Sequence, residues 1–137
     1  MSKDFREIHV PFHEHLGLVI DQAGARVTME LGEHVRGPVA PVHGGVVASL
    51  VDVACGMAVD PDSYDPTVSV PVSTDLSVRF FRQPKASPLV AQATVVHQGR
   101  TVVSVECVVT DGEGRQVARG SGTYMVMTGF GPVHRAG

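Results

Sequence analysis

The chain has 137 residues, 43% of them hydrophobic, and a formal net charge of -3 at pH 7, enough for one domain over 1–137 with a real core. That balance leaves no basic footprint for nucleic acid, and without tryptophan there is little platform on which bases could stack. The longest apolar run is shorter than the roughly 18 to 20 residues that span a bilayer, and the charged start MSKDFREIHV lacks the apolar core of a signal peptide. A cytoplasmic protein without nucleic-acid or membrane partners is expected.

In chain order, Leu18 to Ile20 and the run Val27, Met29, Leu31 read as short strands about an Ala23-Gly24 turn. Gly37-Pro38-Val39-Ala40-Pro41 reads as a loop, because its prolines lack ladder donors. An almost wholly apolar helix follows, HGGVVASLVDVACGMAV, His43 to Val59. After Asp65-Pro66 the pattern changes to period two with many β-branched residues, which predicts strands. Leu76, Val78 and Phe80 alternate with Ser77, Arg79 and Phe81; Leu89 to His97, Val102 to Val109 and Arg115 to Met127 follow. Gln98-Gly99-Arg100 and Asp111-Gly112-Glu113-Gly114 read as hairpin turns, so an antiparallel meander is expected. The tail from Thr128 has no periodicity and reads as loose.

The fold class is therefore α+β, a long helix against five or six antiparallel strands. A helix apolar all round is surrounded by protein, yet one sheet covers one side only. Ala118, Gly120 and Gly122 on one face of the last strand would let the helix approach closely. The other side calls for a second copy of the chain, a homodimer. Cys55 and Cys107 show no C-x-x-C spacing and read as buried, reduced thiols.

Within that apolar helix stands one carboxylate, Asp52, whose burial is costly unless it is paired or useful. At the helix start, Gly44 and Gly45 leave open amide groups where the dipole favours negative charge, a place for a developing oxyanion. His43 and Asp52 are nine residues apart, which in a helix is about 13 Å and half a turn out of phase. One helix cannot aim both groups at one carbonyl. Two copies packed antiparallel could, with Gly44 of one facing Asp52 of the other.

HGGVVASLVDVACGMA, followed by VSTDLSVRFFRQP, HQGRTVVSVECVVTD and GRQVARGSGTYMV, resembles the hotdog-fold acyl-CoA thioesterases of the phenylacetic-acid-degradation type. PFHEHLGLVI resembles the opening of that fold, and the similarity covers roughly residues 11 to 127. The resemblance implies a long helix wrapped by a curved antiparallel sheet, in dimers or dimers of dimers. It implies that the Gly44 N–H polarises the thioester carbonyl while Asp52 of the partner subunit acts as general base or nucleophile. His43 would help position the thioester, and Ser73 would assist the attacking water. Gly45 is expected to bind substrate, Val47, Leu50 and Val51 to line the acyl pocket, and Arg82, Lys85 and Arg100 to meet the phosphates of CoA. Coenzyme A is part of the substrate, and no other cofactor and no metal is expected.

One departure stands out. Many members carry Asn six residues before the His and Gly three before it; here those places hold Gly37 and Ala40. The missing amide keeps a second reading open, an acyl-CoA binder without catalysis; a hotdog dehydratase ranks third. A G-x-S-x-G elbow and a phosphate-binding P-loop are both absent from the sequence. His9, His13 and His15 are the remaining group, conceivable as metal ligands but without the accompanying ligand spacing.

Overall fold

The computed structural model describes residues 9–59 and 69–128. Apart from Thr128, which ends the last strand, the tail expected to be loose lies outside the described residues. A short helix, α1 (Pro11–Leu16), comes first and was not apparent from periodicity, six residues being too few to show one. Pro11 at its first turn needs no amide partner. Gly17 closes it at φ 68°, where the Gly17 and Leu18 amides donate back to the Glu14 and His13 carbonyls.

Two short strands follow, β1 (Val19–Asp21) and β2 (Arg26–Met29), joined where Asp21 Oδ1 accepts the Gly24 N–H at 3.1 Å. A 3-10 turn over Glu33–Val35 and the proline-containing loop then lead to α2 (Gly44–Val59). The rest of the sheet is β3 (Ser69–Phe80), β4 (Leu89–Gln98), β5 (Val102–Thr110) and β6 (Gln116–Thr128).

All six strands join one antiparallel sheet in the order β1-β2-β4-β5-β6-β3. The meander expected from the turns exists for β4, β5 and β6. β3 departs from it, pairing with β6 at the far edge instead of with its sequence neighbour β4. The chain thus runs from one edge of the sheet to its interior, and α2 packs against β2, β3, β4, β5 and β6. This is the hotdog arrangement.

The core follows from the alternation in the strands. Leu89, Ala91 and Ala93 of β4, Val103, Val105, Cys107 and Val109 of β5, and Ala118 and Tyr124 of β6 are buried with Leu50, Val51, Ala54 and Cys55 of α2. At Gly120 helix and sheet come close: a Cβ there would stand 2.5 Å from Val51 Cγ1. Gly122 serves a different purpose from the expected helix contact, because a Cβ there would meet the Tyr124 ring at 2.6 Å. The glycine makes room for an aromatic ring on its own strand. Cys55 and Cys107 are both free and buried, and hydrogen bonding between the two thiols, with burial, pushes the Cys55 thiol far up.

Candidate active site

The start of α2 borders one cleft. Gly44 is the first helical residue, and among the described residues its N–H meets no acceptor, as expected of a first-turn amide. The Gly45 N–H is taken by His43 Nδ1 at 2.9 Å, so His43 acts as a cap and the amide left open is that of Gly44. Ser49 Oγ donates to the Gly45 carbonyl at 2.8 Å one turn on. The cleft beside Gly44 has a volume of about 280 Å³ and is lined by Val42, Val47, Phe80, Arg82 and Pro84 among others. Phe80, on the last residue of β3, is 55% exposed and stands 3.7 Å from where a Cβ on Gly44 would be.

The middle of α2 borders a different cleft. Asp52 shares about 160 Å³ with His13, Gly56, Met57, Pro71, Ser73 and Tyr124. Ser73 and Tyr124 are register partners across β3 and β6, which places both on the inner face of the sheet. The Tyr124 hydroxyl lies 2.7 Å from Asp52 Oδ1 and 3.0 Å from the Asp52 backbone carbonyl. Burial, then the Asp52 carboxylate, push the phenol far above its ordinary range, so it stays a donor at any working pH. Partial burial holds His13 below the usual imidazole value, against the attraction of the Asp52 carboxylate.

Gly44 and Asp52 are therefore on one helix, eight residues apart, and open into separate clefts; along the helix axis this is about 12 Å. The other anticipated residues divide between these places. Val47 and Arg82 line the Gly44 cleft, whereas Leu50 and Val51 are wholly buried between α2 and the sheet. The Lys85 amide donates to Asp111, leaving its side chain at the surface of the loop beside that cleft. Arg100 sits in the β4–β5 turn, at the opposite end of β4, about 30 Å from the Lys85 end at roughly 3.3 Å per residue. One subunit does not gather the three cations into one phosphate site.

Three residues take places that residue order did not signal, His13 being conceivable there only as a metal ligand. Tyr124 is large and polar-tipped on a strand face that runs through Ala118, Gly120 and Gly122 before it, and that contrast was the available signal. His13 needed α1, which short-range periodicity did not reveal. Asp111 looks like an ordinary turn residue, but its side chain is wholly buried and accepts from the amides of Lys85, Glu113 and Arg115 and from Arg115 Nε. The Lys85 amide leads the bonds that hold its carboxyl at about 2. Arg115 also reaches the Gln83 carbonyl, so this knot ties the loop lining the Gly44 cleft to the β5–β6 turn.

The other histidines are engaged apart. His9 turns to Glu14 at 3.0 Å and His15 lies edge-on to His34 at 6.0 Å, and among the described residues no three potential ligands converge on a metal position. Among the described residues no helix is long and apolar enough to cross a membrane.

Known proteins resemble the chain in both sequence and fold. A Halobacterium salinarum protein described as a candidate esterase is 40% identical over 91 residues, covering 62% of this chain and 60% of that protein. The match thus spans about three fifths of that relative. A Bacillus halodurans protein whose structure was solved with CoA superposes with a TM-score of 0.78 at 28% identity, over 89% of this chain and 79% of the other. A Haemophilus influenzae thioesterase shares the fold, with a TM-score of 0.75 at 21% identity over 85% of this chain and 82% of that one. The model of the thioesterase superfamily matches residues 41–118, from the loop before His43 to Ala118 and hence over more than half of the chain. The chain belongs to the thioesterase superfamily.

Proposed function

We propose that the protein hydrolyses an acyl-CoA thioester to a carboxylic acid and CoA, as a cytoplasmic enzyme of the phenylacetic-acid-degradation type. The observation that carries this reading is the division of one helix into two half-sites, an open donor at Gly44 and a held carboxylate at Asp52. Two chains related by a twofold axis, with their α2 helices antiparallel, would place Gly44 of each beside Asp52 of the other. The sheet supports such a pairing: β3 is an edge strand whose inner-face residues Leu76 and Phe80 are 37% and 55% exposed, apolar surface that a second copy would cover. The same rotation would bring Arg100 of one subunit toward the Arg82 end of the other, where a CoA phosphate would need them. A homodimer, or a dimer of dimers, is the working unit.

The chemistry follows from these groups, with CoA as part of the substrate and no other cofactor required. The Gly44 N–H, at the positive end of α2, polarises the thioester carbonyl. Asp52 takes a proton from water held near Ser73 while the water oxygen bonds to the carbonyl carbon. The oxyanion then re-forms the carbonyl, the C–S bond breaks, and the thiolate recovers the proton from Asp52. His43, as the cap of α2, positions the helix start, and Val47 borders the acyl chain.

A second reading, a binder of acyl-CoA without catalysis, is favoured by Gly37. A Cβ there would lie 3.5 Å from His43 Cα, so the side chain missing at this place would have stood beside the helix start. Free-thiol release from short, long-chain and aryl acyl-CoAs separates the two readings. D52A is expected to lower kcat by about 10³-fold or more while remaining folded. Equal slow rates in D52A and wild type would remove Asp52 from the reaction and leave the binder.

A further inference from the structure

Resting on the thioesterase reading above, we infer that Tyr124 is a positioning residue that reserves one oxygen of Asp52 for the reaction. Its hydroxyl holds Oδ1, and Oδ2 is the oxygen that receives the proton of water. The geometry is unequal on the two sides of the carboxylate. Oδ1 lies 2.7 Å from a phenol that is itself 1% exposed. That ring is seated over Gly122, where a Cβ would stand only 2.6 Å away. The anchor therefore belongs to the sheet, and its single phenolic hydrogen is directed to Oδ1 at 2.7 Å, with the Asp52 backbone carbonyl nearby at 3.0 Å.

An aspartate on a helix otherwise turns about its terminal torsion, a broad and soft rotation. A carboxylate held at one oxygen has lost that freedom before substrate arrives. The remaining oxygen then keeps one direction toward the cleft it shares with Ser73 and His13. The charged or titratable groups around it are His13 from α1, Tyr124 from β6 and Cys55 from its own helix. Of these, the phenol is the group that donates to Oδ1, at 2.7 Å. The gain lies in direction.

The test is Y124F, which keeps the ring that packs on Gly122 and removes the donor. With acyl-CoA as substrate, kcat is expected to fall about 10- to 100-fold. The affinity for an unreactive thioether analogue of acyl-CoA, read by calorimetry, should stay within about twofold because no group touching bound substrate is lost. A folded Y124F with wild-type kcat overturns the proposal.

Proton NMR decides the same question without catalysis. Wild type should show a slowly exchanging phenolic proton far downfield that disappears in Y124F and moves upfield in D52N. Its absence from wild type, or indifference to D52N, also overturns the proposal, and the D52N comparison remains open should Y124F not fold. Wild type that shows this proton but releases no thiol refutes the thioesterase reading alone.

Discussion

The beginning of α2 and its middle hold their polar groups in different ways. At Gly44 the functional group is a backbone amide whose direction is set by the helix itself, in a roomy cleft of about 280 Å³ with loop and aromatic walls. At Asp52 the group is a side chain in a tighter cleft of about 160 Å³, and a tyrosine from the sheet tethers it. A donor made of backbone needs no second element to aim it. A carboxylate does, and Tyr124 of β6 supplies it.

The largest expected effect comes from breaking each half separately. Proline is accepted at the first helical position and lacks an N–H, so G44P should fold yet lose about 10²- to 10³-fold in kcat. D52A should be at least as damaged. Mixing the two variants gives heterodimers in which one site carries both defects and the other carries neither. Such mixed dimers should regain about half the wild-type activity, one working site in two. Mixing with proven subunit exchange but no recovery would show that Gly44 and Asp52 are not partners across an interface.

A smaller effect is expected where helix and sheet touch. G120A places a methyl 2.5 Å from Val51 Cγ1 and 3.2 Å from the Ser77 carbonyl oxygen, which should cost about 1–3 kcal/mol of stability. Denaturant unfolding measures it. Because the helix must move away from β6, kcat should fall while affinity for CoA at the Gly44 end changes little. A G120A protein as stable as wild type would mean that the approach of α2 to the sheet is slack.

The smallest effect should appear at the other end, through Asp111. Its carboxyl is held at about 2, below the ordinary 3.8. Its stabilising bonds are therefore complete above about pH 4 and are lost as pH falls through about 2. Wild type should lose Tm over that window, whereas D111N should start several degrees lower at neutral pH and lack this component of the acid loss. D111N should also raise KM more than it lowers kcat, because the knot steadies Gln83 and Pro84 beside the Gly44 cleft. Parallel Tm curves for the two proteins would dissociate Asp111 from the acid transition.

Much of this arrangement was legible in residue order, and the exceptions have a common cause. The valine-rich alternation of β5 and the Asp111-Gly112 turn are local patterns, and they led directly to the β4–β5–β6 meander. The edge position of β3 was not local: Phe80 pairs with Ala118, beyond two intervening strands. Asp52 drew attention because a charge in an apolar helix is conspicuous. Tyr124 did not, since a tyrosine in a strand is ordinary until the partner 72 residues away is known. His43 gave an incomplete signal, its type suggesting contact with substrate while its Nδ1 in this structure accepts the Gly45 amide.

By itself the sequence determined the almost wholly apolar helix, its single carboxylate, the glycine pair at its start and the alternating strands. These depend on periodicity, side-chain type and turn chemistry within a few residues. Only the tertiary structure decided that β3 lies beyond β6, that Gly44 and Asp52 open into different clefts, and that a phenol holds one oxygen of the carboxylate. Those are contacts between distant segments, settled by which surfaces remain uncovered after each element has formed.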